Sequence, residues 1–461
     1  MMSIAGTILD FFLGDSVEET NELEMKQHPT VAIVGAGLAG LSCAVSLAKA
    51  GIDVRVFEST DRVGGRVRSD IVDGFTLDHG FQVLLTAYPA CREWLDYSSL
   101  RLKPFEPGCL VRYQGTFSLL GDPWRRPSQL FQTTTSPIGT FGDKLRILRL
   151  RYQACRGSID DLFKRPSQST ESRLVKDGFT PAMVNLFLRP FLGGVFLDPQ
   201  LQTSSRMLEF VFRMFASGDI AIPADGMAAI PRQLAERLPR GSILLSRCVE
   251  SIHGDEILLS NGERIQPQRI VVATESNAAA RLLGENSMNT KWRTTTTHYF
   301  VADQSPNRRR LLMLSGDEYR RDQAHRIGTV VVLSDVAAQY APQGKSLISV
   351  GMAESIDDAE DASPQSEIKA VLTQLRGWFG DKVDRWNHLR TYRVPFGLPV
   401  VNLDHQESFR RVGKILVCGD HLETPSINGA IRSGIAAANA LLKESSAIAH
   451  GAQKNNGVDR L

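Results

Sequence analysis

The amino-acid sequence predicts an α/β protein in which a parallel sheet, covered by helices on both faces, is joined to an inserted domain of mixed sheet and helices. Three observations lead to this prediction. The chain has 461 residues, 42% of them hydrophobic, which is too long for one compact core and indicates two or three domains. Residues 31–51 are typical of a strand, a glycine turn and a helix, and residues 414–442 repeat the order strand, loop and helix near the other end.

The first strand and its turn predict a Rossmann-type nucleotide site. Residues 31–34 are an unbroken apolar run with β-branched side chains, which is typical of a buried parallel strand. Gly35, Gly37 and Gly40 follow in the pattern G-x-G-x-x-G, which allows a tight turn, close approach of a diphosphate, and close packing of helix on strand. The helix predicted over residues 38–50 would point its free N–H groups at the phosphates.

The residues after this helix identify the kind of dinucleotide. A second strand is predicted over residues 53–57, and Glu58 closes it where an acid accepts the ribose hydroxyls. A carboxylate there would repel a 2′-phosphate, so NADP is disfavoured. Arg62, the pair Gly64-Gly65 and Arg66 then follow, and a plain NAD site does not need them. A longer dinucleotide does, because its diphosphate and ribityl chain continue past the first turn.

Two motifs carry a resemblance to a known family. The pattern E-x-x-x-R-x-G-G-R at residues 58–66 resembles the FAD-dependent amine oxidase and phytoene desaturase superfamily, and is nearest to its carotenoid and squalene branch. DHGFQVLLTAYP, residues 78–89, is similar to the corresponding stretch of carotenoid desaturases, with Phe81 and Gln82 where that family has Leu and His. The resemblance implies FAD as the cofactor. Some members of the superfamily bond the flavin to a cysteine, and because no cysteine lies near the terminal helix of this sequence, the FAD is expected to be bound non-covalently.

The far end of the chain resembles the terminal motif of the same family. Gly419-Asp420, followed by Gly429-Ala430 and then Ser433-Gly434, matches G-D…G-A-x-x-S-G. The resemblance implies that Asp420 meets the ribityl chain or phosphate region, and that the helix start at residues 429–430 faces the isoalloxazine. Physics agrees, because hydride arriving at N5 leaves negative charge near N1 and the C2 oxygen, which a helix N-terminus stabilises.

Between the two ends, residues 242–252, 254–265 and 269–274 are predicted to complete the nucleotide-binding domain. Residues 243–274 read as strands with a hairpin turn at Asn261-Gly262, and the resemblance implies a contact of Val249 with adenine. The predicted domains are an N-terminal arm at 1–28, a discontinuous FAD-binding domain at 29–100, 222–281 and 405–445, a substrate domain at 101–221 and 282–404, and a tail at 446–461. The predicted FAD contacts are Gly35, Ala36, Gly37, Leu38, Ala39, Gly40, Glu58, Ser59, Arg62, Gly64, Gly65, Arg66, Gly80, Phe81, Gln82, Val249, Gly419, Asp420, Asn428, Gly429 and Ala430.

The predicted function is FAD-dependent desaturation or oxidation of a hydrophobic, carotenoid- or squalene-like substrate. No acid–base pair stands out in the sequence, and Asp78 is interpreted as a brace for the turn into Gly80. Amine or protoporphyrinogen oxidation, and a non-redox isomerisation that uses FAD, remain as alternatives; Lys291 cannot be assigned from sequence to the lysine that the amine oxidase branch uses. Because only one G-x-G-x-x-G is present, oxygen or a quinone is the expected electron acceptor.

Composition disfavours other classes of partner. The formal net charge is +2, and short basic runs such as residues 308–310 stand apart without interleaved aromatics, so nucleic acid is not expected. Six singly placed cysteines predict neither a disulfide framework nor a metal site. These features indicate a cytoplasmic protein. The basic and apolar residues of FGDKLRILRLRYQ, 141–153, allow peripheral contact with a membrane, although a solvated helix face is the commoner cause of that pattern.

Overall fold

A computed structural model describes residues 29–316, 327–352, 363–404 and 407–455, and within the last range it describes backbone alone from residue 445 onward. The predicted N-terminal arm, residues 1–28, lies outside the described residues, as do residues 456–461 of the predicted tail.

Twenty-one strands are described, numbered here in chain order. They are β1 Val31–Val34, β2 Val54–Phe57, β3 Ser69–Val72, β4 Phe75–Asp78, β5 Leu84–Leu85, β6 Lys103–Pro104, β7 Gly108–Tyr113, β8 Thr116–Gly121, β9 Ile220–Ile222, β10 Ile243–Leu244, β11 Val249–His253, β12 Glu256–Leu259, β13 Arg264–Ile265, β14 Arg269–Val272, β15 Trp292–Ala302, β16 Leu312–Ser315, β17 Ile327–Val332, β18 Ser346–Met352, β19 Asn387–Pro399, β20 Arg410–Val412 and β21 Ile415–Val417.

The α-helices of the described residues are numbered in the same way. They are α1 Leu38–Lys49, α2 Pro89–Trp94, α3 Leu130–Thr135, α4 Phe141–Cys155, α5 Ile159–Phe163, α6 Thr170–Lys176, α7 Pro181–Met183, α8 Arg189–Phe196, α9 Ser205–Ser217, α10 Ala229–Ala235, α11 Ser276–Leu283, α12 Leu333–Val336, α13 Pro364–Phe379 and α14 Ile427–Asn455. Within the described ranges, none of these helices is both long and apolar enough to cross a bilayer.

A six-stranded sheet joins distant parts of the chain in the order β10-β2-β1-β14-β21-β20. Its first five strands are parallel, and β20 pairs antiparallel with β21 at one edge. The three parallel strands β1, β14 and β21 are short and buried along their length or nearly so, which explains their unbroken apolar sequences. The α/β class predicted from the sequence is therefore correct.

The two faces of this sheet are covered differently, although a helix packs on each face as expected. Val31 and Ile33 of β1 pack into the core that contains α1 and α14. Ala32 and Val34, which point to the opposite face because side chains alternate along a strand, pack with apolar residues of β11–β13 and of α11. The three-stranded antiparallel sheet β11–β13 and helix α11 thus cover the second face together, because the alternating apolar residues of that small sheet need a partner surface.

A seven-stranded mixed sheet forms the other large layer, in the order β19-β15-β18-β17-β16-β7-β8. Alternate residues of β15 again point to opposite sides: Phe300 packs against the side covered by α13, and Tyr299 packs into the central core. Helices α4 to α9 lie in the segment between β8 and β9, with one π-helical turn at Val184–Leu188. The proposed bounds of the FAD-binding and substrate domains stay a prediction.

Candidate cofactor-binding site

The glycine turn is closed on one side and open on the other. Gly35 has a φ of +103°, and a Cβ there would lie 3.0 Å from the carbonyl oxygen of Ala273. A Cβ on Gly40 would lie 2.0 Å from the oxygen of Gly35, so only glycine lets α1 start this close to β1. A Cβ on Gly37 would meet nothing within 4 Å. The open side therefore lies beside Leu38 and Ala39, whose N–H groups begin the helix without intrahelical acceptors.

The second glycine pair packs directly on this turn. The N–H of Gly64 donates to the oxygen of Ala36 at 2.9 Å, and Gly37 and Gly64 form an isolated parallel bridge. A Cβ on Gly65 would lie 3.4 Å from the Cα of Gly37, and both Gly64 and Gly65 have positive φ, +121° and +57°. The two glycine motifs of the sequence therefore form one continuous backbone surface.

Glu58 is buried and fixes the turn from behind. Its Oε2 accepts a hydrogen bond from the N–H of Ala36 at 2.8 Å, and its Oε1 accepts from the N–H and the hydroxyl of Thr60 at 3.0 and 2.8 Å. A carboxylate oxygen has two acceptor positions, so Oε2 retains one for a further donor. Glu58 thus has a structural role in the turn that the sequence motif does not reveal.

The neighbouring predicted contacts fall on both sides of Glu58. The N–H groups of residues 246 and 247 donate to the carbonyl oxygens of Thr60 and Glu58, both at 2.8 Å, and so bring the segment that leads into Val249 beside this carboxylate. Ser59 is exposed. Arg62 points to a different cluster, where it pairs with Asp61 at 3.1 Å and Asp70 at 2.8 Å. A contact of Arg62 with the cofactor stays a prediction.

The two ends of the chain meet at an ion pair between Arg66 and Asp420. The guanidinium makes two hydrogen bonds with the carboxylate, one of them at 3.0 Å, and Nη1 also donates to the oxygen of Gly397 at 3.2 Å. The guanidinium carbon lies 5.0 Å from the ring centroid of Trp292, within the range of cation–π attraction. Asp420 is buried, so the pair joins three segments that are far apart in sequence.

Gly80, Phe81 and Gln82 lie next to Arg66. The side-chain amide of Gln82 donates to the oxygen of Arg66 at 2.9 Å and to that of His79 at 3.1 Å. Gly80 has a φ of +88°, a conformation that favours glycine. Residues 80–82 therefore present backbone to the site, and the Gln82 amide holds that backbone in place. A backbone surface of this kind suits contact with a flat ring.

Asp78 braces this segment from the interior. Its carboxylate accepts from the Ser69 hydroxyl at 2.6 Å, the Met227 N–H at 2.9 Å and the Tyr340 hydroxyl at 2.9 Å, while the Tyr299 hydroxyl donates to its carbonyl oxygen at 2.8 Å. Burial raises the pKa of Asp78 to about 6, although these donors oppose the shift. All of its donors are structural groups, so Asp78 holds the turn and has no access to substrate here.

The start of α14 is held against α2 and the loop that follows β21. The Asn428 side-chain oxygen accepts from the N–H of Ala90 at 3.0 Å, and a Cβ on Gly429 would lie 1.9 Å from the oxygen of Thr424. The Ser433 hydroxyl accepts from the N–H of Gly419 at 2.8 Å. These contacts explain the spacing of the terminal motif, because Gly429 and Ser433 connect the first turns of α14 to the loop that carries Asp420.

A histidine that the sequence analysis overlooked lies beside this ion pair. His421 is buried, and neither of its ring nitrogens has a hydrogen-bond partner among the described residues. Burial lowers the pKa of His421 to about 4. It borders a cleft of about 430 Å³ together with Thr290, Asn402 and Arg410. Nothing in the motif G-D-x marks the third position, so only the packing reveals this residue.

These features fit a dinucleotide that carries a flavin. The open side of Gly37, the helix start beside it and the remaining acceptor position of Glu58 suit a diphosphate and a ribose. The Gly80 backbone and the start of α14 continue the same surface past the Arg66–Asp420 pair. The class defined by this fold and site is a flavin-dependent oxidoreductase with a dinucleotide-binding sheet.

Comparison with known proteins identifies the family. The model of a family described as flavin containing amine oxidoreductase matches residues 38–442, which is most of the chain. The chain therefore belongs to that family; it is a FAD-dependent oxidoreductase, as the sequence motifs predict. The residue-by-residue assignment of FAD contacts stays a prediction.

Individual proteins are similar over very different lengths. Hydroxysqualene dehydroxylase from Rhodopseudomonas palustris is 24% identical over 447 residues, which is 90% of this chain and 98% of that protein. Protoporphyrinogen oxidase 2 from Arabidopsis thaliana is 28% identical over 174 residues, 38% of this chain, so the similarity spans about a third (34%) of that protein. The 4,4'-diapolycopene oxygenase of a Methylomonas species is 50% identical over 62 residues, 13% of this chain and 12% of that protein.

A solved structure supports the fold. An oxidoreductase from Methanosarcina mazei superposes with a TM-score of 0.70 at 18% identity, covering 88% of this chain and 99% of that one. At this identity the likeness concerns the fold alone.

Proposed function

We propose that the protein desaturates or oxidises a hydrophobic isoprenoid of the squalene or carotenoid type. The observation that carries the isoprenoid class of substrate is the end-to-end similarity to hydroxysqualene dehydroxylase, which extends over 90% of this chain. The oxidative direction rests on the family of flavin containing amine oxidoreductases, because a dehydroxylation by itself is a two-electron reduction of the substrate. The similarity to 4,4'-diapolycopene oxygenase extends over only 13% of the chain, so it supports the cofactor more than the substrate. Similarity to protoporphyrinogen oxidase is confined to 38% of the chain and supports the cofactor more than the substrate.

FAD, when bound, would supply the redox chemistry as a two-electron acceptor. The chain's own part is binding and orientation. Glu58 would receive the ribose hydroxyls, and the backbone of Gly37 and Gly64 would cradle the diphosphate. Asp420 would meet the ribityl chain or the phosphate region, while Arg66 holds its carboxylate in place. The N–H groups at Gly429 and Ala430 would stabilise negative charge without a titrating side chain.

The surroundings of Gly80 suit an apolar substrate. The atoms nearest to a Cβ at Gly80 would be methyl carbons of Thr295 and Val394, at 3.6 and 3.9 Å. The neighbouring Phe81 ring lies edge-on to Phe105, with 6.2 Å between centroids. Hydride removal from a hydrocarbon needs orientation and exclusion of water more than a proton relay, and these side chains supply an apolar wall.

Lys291 distinguishes this proposal from amine oxidation. The resemblance links amine oxidases to a lysine bonded to water near N5, whereas Lys291 is exposed at the start of β15, and β15 itself contains no lysine. We expect Lys291→Ala to leave turnover within about twofold of the native enzyme, because an exposed side chain loses no buried contact. A fall in turnover of a hundredfold or more would indicate that Lys291 takes part in the reaction and would favour amine oxidation.

The deciding experiment is anaerobic reduction of the purified holoenzyme. Squalene and diapolycopene in detergent are compared with putrescine and protoporphyrinogen, and bleaching of the visible flavin absorbance is followed by product analysis. Hydroxysqualene is tested separately, as an oxidant of the photoreduced enzyme, because replacing its hydroxyl by hydrogen takes up two electrons. We expect reduction by at least one isoprenoid and none by the amine. Reduction by putrescine or protoporphyrinogen alone would refute the substrate class. Product formation from an isoprenoid without net flavin reduction would indicate isomerisation.

The electron acceptor is proposed to be oxygen or a quinone. The sequence holds a single G-x-G-x-x-G, and flavoproteins that exchange hydride with NAD(P)H generally need a second dinucleotide site. Reoxidation of the photoreduced enzyme with air, a soluble quinone and NADP⁺ tests this. Reoxidation by NADP⁺ at the fastest rate would contradict the proposal.

A further inference from the structure

Helix α4 has an apolar stripe on its exposed side. Phe141, Leu145, Leu148 and Tyr152 are 62, 51, 37 and 69% exposed. Their spacing of four, three and four residues places them along one line of the helix surface. The buried residues Asp143, Leu150 and Ala154 lie about half a turn away, so α4 is packed on one side and apolar on the other.

Basic residues flank this stripe on both sides. At 100° per residue, Lys144 and Arg151 lie to one side of the stripe, and Arg146 and Arg149 lie to the other. Arg149 is exposed, and no hydrogen bond or ion pair involves it among the described residues. An apolar line between two basic flanks is the arrangement of a helix that rests in the plane of an anionic membrane surface.

Neighbouring segments add two exposed aromatic rings. Trp124 is 71% exposed and Phe131, in α3, is 76% exposed. The Lys144 ammonium donates to the oxygen of Thr134 at 3.0 Å and so ties the end of α3 to α4. Arg151 pairs at 2.7 Å with Asp122, two residues before Trp124. The two rings therefore belong to segments fixed at opposite ends of α4, and the six apolar residues together are called the docking face.

We propose that the docking face binds the surface of an anionic lipid bilayer. The charge pattern favours a bilayer over a second copy of this chain, because basic side chains outnumber acidic ones around the face and Arg149 has no ion pair among the described residues, so two copies would bring this excess of positive charge together. Trp and Tyr are enriched at the boundary of water and lipid, where Trp124 and Tyr152 would lie. Asp122 pairs with Arg151, and Asp143 caps the N-terminus of α4 through Thr140, so the acidic groups nearest to the face are already neutralised or buried.

Binding of the docking face to a bilayer is separate from the redox function and would determine where the enzyme takes up its substrate. Seven-tenths exposure of a tryptophan costs free energy in water, which partition into a lipid interface recovers. A substrate dissolved in a bilayer would then reach the enzyme without crossing water.

Vesicle flotation of the full-length holoenzyme tests this surface. The vesicles are phosphatidylcholine alone, or phosphatidylcholine mixed with phosphatidylglycerol. We expect binding to the anionic vesicles that weakens as salt rises. The double variant Leu145→Ser, Leu148→Ser should reduce the partition coefficient about tenfold, because two partly exposed leucines lose their apolar transfer. Arg149→Glu should reduce it about tenfold on anionic vesicles only.

The matched control is Ile71→Ser, which removes a residue 72% exposed in β3, outside the docking face. It should bind vesicles like the native protein. Unchanged binding of the leucine double variant, or no binding of the native protein to either vesicle, would overturn the proposal. A dimer that the same double variant dissociates, without vesicle binding, would assign the face to a second copy. All variants should retain flavin and turn over detergent-dissolved substrate normally, which separates this test from that of the proposed function.

Discussion

Gly434 in α14 offers a direct test of how the two ends of the chain fit together. A Cβ at this position would lie 2.1 Å from the oxygen of Ala39 and 2.2 Å from the hydroxyl oxygen of Ser42, both in α1. Ordinary van der Waals contact begins at about 3.4 Å, so Gly434→Ala requires α1 and α14 to separate by about 1 Å. The Ser42 hydroxyl, which donates to the oxygen of Ile431 at 3.1 Å, would lose that bond.

The magnitude follows from opposing contributions. Overpacking of a close helix contact costs about 1–3 kcal/mol, and the lost hydrogen bond costs about 1 kcal/mol more. Alanine gains about 0.8–1 kcal/mol over glycine in a helix interior. We therefore expect Gly434→Ala to lower the free energy of unfolding by about 1–3 kcal/mol. Flavin retention should fall as well, because the first turns of α14 carry Gly429 and the Ser433 anchor.

The assay is urea unfolding followed by tryptophan fluorescence, together with the ratio of flavin to protein absorbance after gel filtration. Gly377→Ala is the matched control, because this exposed glycine lies in α13 and a Cβ there would meet nothing within 4 Å. It should raise stability by about 0.5–1 kcal/mol. A gain of stability in both glycine variants, with flavin retained by Gly434→Ala, would contradict close packing of α1 on α14 at this position.

Three further predictions concern the ion pair and its neighbours. Glu58→Arg should lose most of its flavin, because the Ala36 N–H loses its acceptor at a cost of about 1–3 kcal/mol. Glu58→Gln, which keeps one acceptor oxygen, should lose less flavin. Undiminished yellow colour in purified Glu58→Arg would contradict this prediction. Arg66→Ala and Asp420→Ala should each reduce flavin occupancy. The double variant should lose less flavin than the sum of the two single losses, because each single change leaves a charge without its partner. Additive losses of flavin would show that the two residues are uncoupled. His421 should make the free energy of unfolding depend on pH. In the folded protein its pKa is about 4, whereas its ordinary pKa is 6.5, so between these two values the unfolded chain binds a proton that the folded chain does not. Stability should therefore fall as the pH drops from 6.5 towards 4. Relative to His421→Phe, the native protein should lose about 2 kcal/mol more between pH 7.5 and pH 5 in urea titrations, and parallel pH profiles would refute the assignment.

Local elements were predictable because their sequence patterns depend on near neighbours. The strand, turn and helix predicted over residues 31–51 are seen as β1 and α1, and the hairpin at Asn261-Gly262 is seen between β12 and β13. Each rests on a period of apolar residues or on a glycine that needs positive φ, as at Gly262. The α/β class follows from the same patterns.

What the sequence did not predict depends on contacts between distant segments. The alternation in β11–β13 indicates an apolar face but cannot tell which surface it covers, so the presence of this small sheet beside α11 on the second face of the main sheet is not predictable from the sequence. Arg66 and Asp420 each belong to a recognised motif, yet their pairing across 354 residues is a property of packing. His421 gives no signal in the sequence, because its lack of hydrogen-bond partners exists only in the folded chain.

The contact between α1 and α14 also determines at which stage of synthesis the cofactor can be bound stably. Ser42 and Ile431 are 389 residues apart, and their hydrogen bond joins the helix that follows the nucleotide turn to the helix near the end of the chain. During synthesis the glycine turn lacks its closing partner until residue 431 has left the ribosome. Stable cofactor loading is therefore a late step, and a nascent chain stopped before residue 427 would be released colourless.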